Sequence, residues 1–350
     1  MTVPFDHLLA LSDDVGTFEH AEYQTRRTEH GYCVDDVARV LVAIYQSPEP
    51  RTHDLTMLEE RSLRFVISSI ADTGQIRNRR RYRGDWCSEA GTGDWWGRAL
   101  WALGTAAQHA TTPALRHFAH EAFTLAATQT STSPRALAFA TMGAAELFVA
   151  DPHHHGGHAV GEAFVRWYVS TLDPDAWPWP EERLAYSNAI IGNALIAAGH
   201  HSGQLIVVHH GLALLDWLFD IQTIDGHLSV IPVGGAGPGD RRPRFDQQPV
   251  EVARLADACV RAFSATFDQR WLERLELCAR WFDGHNDLGE PMWNPNSGGG
   301  FDGLTPNGPN LNQGAESTLA VITTRLHHER LADLRTSDES PNSSNAAKPD

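Results

Sequence analysis

The sequence predicts an all-α protein, a ring of six helical hairpins of the (α/α)6 toroid type. Six helix-length segments open with a polar motif bearing carboxylates or amides, and six further helical segments without such a motif lie between them. The openings recur every 40 to 65 residues or so, about the length of two helices and a loop. Alternating apolar and polar runs that would make convincing strands are absent. A ring of hairpins gathers its inner-helix openings at one end, so motifs distant in sequence would face one cavity.

The elements follow in order. Val37, Val40, Leu41 and Ile44 repeat at helical spacing over 33–46, behind the opening Gly31-Tyr32-Cys33-Val34-Asp35-Asp36-Val37-Ala38-Arg39. Leu63, Val66, Ile67 and Ile70 give the outer partner, 59–70. The second pair is 95–107, behind Gly91-Thr92-Gly93-Asp94-Trp95-Trp96-Gly97-Arg98, and 113–128. The third is 137–149, behind Ser133-Pro134-Arg135, and 160–171. Glu181-Glu182-Arg183-Leu184-Ala185-Tyr186-Ser187-Asn188 opens the fourth, 184–198, whose partner is 205–221. Phe245-Asp246-Gln247-Gln248-Pro249-Val250-Glu251 precedes 250–267, partnered by 270–282. Asn312-Gln313-Gly314-Ala315-Glu316-Ser317-Thr318 opens 315–331, and residues 7–11 supply the twelfth helix. Residues 1–332 are expected to form a single (α/α)6 catalytic domain, and 333–350, polar and rich in Ser and Asn, a disordered tail. Long loops at 72–93, 173–183, 225–248 and 286–313 precede inner helices, a length uncommon in loops without function.

Bulk properties narrow the function. The net charge of −16 argues against nucleic acid, whose phosphates need a basic surface. No apolar run is expected to span a membrane, and the N-terminus lacks the basic and apolar regions of a secretory signal. Four scattered cysteines, Cys33, Cys87, Cys259 and Cys278, have neither metal-ligand nor disulfide spacing; reduced thiols in a cytoplasmic protein are expected. The eleven tryptophans divide into core residues such as Trp101, Trp217, Trp271 and Trp281 and loop residues suited to stacking on a sugar face, Trp86, Trp95, Trp96, Trp177, Trp179 and Trp293.

The motifs supply the chemistry. Asp35 and Asp36 open a helix with Arg39 one turn on, within reach of either. Helix capping accounts for one acid and leaves the other to face a ligand. Asp94 lies between glycine and indole, where lost hydration raises a carboxyl pKa and suits a general acid; capping is its structural alternative. Acids and amides recur together at 245–251 and 310–316, the mixture that binds hydroxyls, which both donate and accept. The run His153-His154-His155 reads as a solvated loop, and no metal or other cofactor is expected. The stretch 233–240 lacks the strand-then-helix context of a phosphate loop.

Together these motifs resemble the six-hairpin glycosidase superfamily. More narrowly, the chain looks like bacterial glycosyltransferase-like proteins with a Gly-Tyr-Cys-x-Asp-Asp-x-x-Arg signature, here Gly31 to Arg39. It is similar to that group also at Gly91 to Arg98, Phe245 to Glu251 and Asn312 to Thr318. In the Glu181 region Ser187 stands where an acid is expected. The resemblance implies carbohydrate chemistry on an oligosaccharide or glycan end. The leading expectation is a glycoside hydrolase, inverting by preference, with Asp94 or Glu181 as acid and Asp36, Asp246 or Glu316 as base. Asp35, Arg39, Trp95, Trp96, Trp179, Gln247, Gln248, Glu251, Asn312 and Gln313 are the candidate sugar-binding residues. The alternatives are a sugar epimerase or isomerase, a phosphorylase, and a non-catalytic carbohydrate-binding partner of a glycan-synthesis enzyme.

Overall fold

A computed structural model describes residues 3–173, 177–241 and 244–338. Among them α1 is Asp6–Ala10, α2 Val34–Gln46, α3 His53–Ser69, α4 Asp94–His109, α5 Pro113–Ala126 and α6 Pro134–Ala150. The chain continues with α7 His155–Ser170, α8 Ala189–Ser202, α9 Leu205–Gln222, α10 Pro249–Thr266, α11 Arg270–Phe282 and α12 Ala315–Asp338. The even-numbered helices contact one another in cyclic order, α2 to α4, α6, α8, α10, α12 and back to α2, which closes the ring. The odd-numbered helices form the outer layer, with the short α1 against α12. This is the (α/α)6 toroid. Strands are confined to two- and three-residue ladders in the loops.

Local chemistry sets the helix starts. Thr112 and Ser133 each cap a helix whose first residue is proline, so no helical N–H is lost there. Thr52 accepts the Leu55 amide and starts α3 earlier than its apolar pattern suggests. The fourth inner helix starts later than expected, at Ala189. Leu184 pairs with Ala236 in a β-bridge instead of entering the helix. At the closest crossing, a side chain on Gly104 of α4 would strike the backbone of Gly143 on α6, so both must be glycine for the helices to touch.

One apolar cluster runs round the ring from α2 to α12, and a second joins α1, α2 and α12. Contrary to expectation, one helix, α9, is long and apolar enough to cross a membrane, though it packs on α8 with 44% of that window buried. Helix α12 continues through Asp338 into the stretch expected to be a tail; residues 339–350 lie outside those described.

Candidate active site

A cavity of about 450 Å³ opens at the end of the ring where the inner helices begin. That is within the usual range for a small-molecule site. Asp35 and Asp36 reach it from the first turn of α2, Asp94 from the first residue of α4, and Glu316 from the first turn of α12. Gln248 and Pro249 line it at the start of α10. The backbone of Tyr32 and Cys33 pairs with Arg79 and Arg80, which folds the 72–93 loop over the opening of α2.

Arginines organise the acids. Arg39 donates to Asp36 at 2.5 Å and pairs with Glu316 at 2.7 Å. Asp35 instead approaches Arg98 of the neighbouring helix at 3.2 Å and accepts the Asn78 amide at 2.9 Å. Asp36 is 3% exposed. Burial pushes its pKa up to about 6; Arg39 opposes that rise and Glu316 adds to it. The Cys33 thiol donates to Asp36 at 3.1 Å and is itself held well above its ordinary pKa, chiefly by burial. At Glu316, burial also disfavours the charge, but Arg39, Arg98 and Arg254 outweigh it and the pKa falls below the ordinary value. One cavity therefore holds two carboxyl groups pushed in opposite directions.

Asp94 accepts the Tyr186 hydroxyl at 2.6 Å and the Ser133 hydroxyl at 3.1 Å. Burial and the bond to Asp94 hold the Tyr186 phenol above its ordinary pKa. The two indole N–H groups beside Asp94 have partners elsewhere. Trp95 turns its indole N–H to the Ile76 carbonyl, 2.7 Å away, and Trp96 is fully buried, bonded to the Ala126 carbonyl.

Several expected site residues stand elsewhere. Glu181 is tied to Arg135 and receives both Trp177 and Trp179 indole N–H groups, while Trp179 is buried and stacked on Trp217. Asp246 is exposed and does not line the cavity. Gln247 is buried, pairs with Leu304 through its backbone and donates to Asp287. Glu251 is buried and accepts the amides of Ser187 and Asn188, so it clamps the start of α8. Asn312 accepts the Tyr23 amide at 2.9 Å, and Gln313 accepts the Ser297 hydroxyl at 2.7 Å. These side chains hold the loops that form the rim.

Tyr186, from the Glu181 motif, also lines the bowl without having been singled out, and Glu19, His20 and Asp302 line it without belonging to any motif. Asp302 accepts the Gly314 amide at 2.9 Å and the Ser317 hydroxyl at 2.5 Å, and burial raises its pKa. Burial, and then the edge-on His30 ring at 4.8 Å, lowers the His20 pKa. For Asp302 only the length of the 286–313 loop gave a hint.

Among the described residues, two donor sets lie close enough to hold a metal ion: Glu19, Cys33 and Asp36 in the bowl, and His120, Asp151 and His154 outside it. Burial holds the Cys33 thiol well above its ordinary pKa. His154 Nδ1 accepts the Gly157 amide that starts α7, which leaves the proton of the neutral ring on Nε2.

No family model and no curated protein matches the chain. Solved structures do. A sugar epimerase from a ruminal bacterium aligns over 95% of this chain and 95% of its own, at TM-score 0.72 and 13% identity. The cellobiose 2-epimerase from Bacillus thermoamylovorans B4167 aligns over 95% and 96%, at TM-score 0.72 and 10% identity. The GH76 alpha-mannanase from Bacteroides thetaiotaomicron aligns over 87% and 88%, at TM-score 0.58 and 10% identity. At these identities the likeness establishes the fold, the (α/α)6 toroid, and leaves the chemistry to the residues of the bowl.

Proposed function

We propose that the bowl is the active site of a carbohydrate-active enzyme that hydrolyses a glycosidic bond at an oligosaccharide or glycan end. One observation carries this reading: Asp36, with its pKa raised to about 6, shares a sugar-sized cavity with Asp94 and with Glu316, whose pKa is lowered. A carboxyl group that holds its proton to higher pH suits the acid's role. Asp36 gives its proton to the leaving oxygen as the bond from C1 breaks. Water adds to C1 and its proton passes to Asp94, which Tyr186 and Ser133 hold in place. Asp36 takes the acid's role in this reading because desolvation raises its proton affinity. Glu316, Arg39 and Gln248 are positioned to bind hydroxyls.

The motifs that resemble those of the glycosyltransferase-like proteins contribute Asp36, Arg39, Asp94, Arg98, Gln248 and Glu316 to the bowl, which supports that resemblance. Epimerisation is the second reading. It is favoured by His20, a bowl imidazole whose lowered pKa suits a base.

The test is incubation with an oligosaccharide panel in D2O, with and without phosphate, followed by NMR. New reducing ends that do not depend on phosphate are expected, and they should vanish in Asp36→Asn and Asp94→Asn. Sugar phosphates would mean phosphorolysis, deuterium on a ring carbon would mean epimerisation, and binding without turnover would mean a non-catalytic partner. Each of these outcomes overturns hydrolysis.

A further inference from the structure

The ring has a second mouth. At the end where the inner helices finish, a cavity of about 260 Å³ is lined by all six of them: Gln46 of α2, His109 of α4, Glu146 of α6, Asn193 of α8, Asp257 of α10 and His327 of α12. Trp101 and Arg254, 5.0 Å apart in a cation–π contact, stand between it and the bowl. The gap there is only about 10 Å³, too little for a ligand to pass.

Asn193 is the informative residue. It is 1% exposed, and neither its amide nitrogen nor its carbonyl oxygen has a hydrogen-bond partner among the described residues. The Gln46 carbonyl oxygen and the Arg261 Nε in the same cavity are also buried without partners. Buried polar groups are nearly always satisfied, so this set of donors and acceptors is built to meet a polar guest. The buried charged groups are already matched, and Arg330 lies exposed at the rim. Asp257 pairs with Arg254 at 2.9 Å and with His327 at 2.7 Å, and Glu146 lies 3.4 Å from Arg261 and 3.8 Å from His109. A guest bearing net charge would meet no unmatched counter-charge in the cavity interior. The rim at His109 and Ser264 is exposed, so the site is open to solvent.

We propose that this second mouth binds an uncharged polyhydroxylated small molecule of about monosaccharide size, held by the Asn193 amide. The site is independent of the bowl and of the hydrolase reading.

The full chain is tested by calorimetric titration and crystal soaking with glucose and sorbitol as neutral probes and sulfate as the charged one. A polyol should occupy density on the Asn193 amide. Asn193→Leu should weaken its Kd at least tenfold, and Asp94→Asn in the bowl should leave that Kd unchanged. If Asn193→Leu does not fold, Gln46→Met provides the same comparison. Water alone in the cavity, sulfate there instead of a polyol, or affinity lost in Asp94→Asn and kept in Asn193→Leu would each overturn the proposal.

Discussion

The chemistry proposed for the bowl rests on Asp36. Its pKa of about 6 lies above the ordinary 3.8, so the folded protein holds this proton through a range where the unfolded chain has lost it. Its contribution to stability therefore declines as pH rises from about 4 to 6. As the acid, Asp36 must be protonated, so kcat/KM should fall on the alkaline side with an apparent pKa of about 6. The Cys33 thiol donates to the ionised carboxylate and lowers its pKa. Cys33→Ala should thus move that alkaline limb to higher pH, which a pH–rate profile measures; a limb that stays in place would separate it from Asp36. Some of this was legible in the sequence and some was not. Asp35, Asp36, Asp94 and Glu316 announce themselves as acids at helix openings. Trp96 occupies the same motif, yet it shares the buried face of α4 with Leu100 and Leu103, and that helical spacing could have marked it as core. His20 and Asp302 gave no local signal, because only the folded loops bring them to the bowl.

Among the elements, α8 shows most clearly where sequence reading stops. Its polar preamble looks like a helix opening, but the residues from Glu181 to Asn188 are tied to Arg135, Ala236 and Glu251. A helix start supported by a carboxylate on another helix cannot be read from local pattern. Glu251 takes the place of a local cap, accepting two backbone amides ahead of Ala189. Glu251→Ala should cost about 2 kcal/mol in urea unfolding at pH below 5. Burial raises the Glu251 pKa to about 6 from 4.5. Its contribution is lost as pH rises through 6, so the gap between wild type and variant should narrow there. The α4–α6 crossing makes a different demand. Gly104 lies against the Gly143 backbone with no flexible side chain to yield. Gly104→Ala should destabilise by about 1–3 kcal/mol, read from the urea midpoint, while Gly161→Ala, in open space inside α7, should stabilise by roughly 0.5–1 kcal/mol.

For the whole molecule, closure of the ring decides how these changes combine. The six inner helices touch in a cycle, and one apolar cluster extends from α2 on one side of the seam round to α12 on the other. The seam itself, α12 against α2, is covered by the second cluster, to which α1 contributes Leu8. The six regularly spaced motifs made this closure legible, since an open array would leave its end helices uncovered. The short α1 was harder to see, because five helical residues give almost no periodicity. Arg39 ties α2 to α12 through Glu316, and Arg98 ties α4 to α2 through Asp35. Apolar and ionic contacts therefore both cross every boundary at which the chain could divide near the seam. We infer that residues 1–332 unfold as one cooperative unit. Calorimetry should show a single transition, and Glu251→Ala on α10 and Gly104→Ala on α4 should each move that same transition down as a whole. Two resolved transitions, with each variant shifting only one of them, would show that the ring is divided.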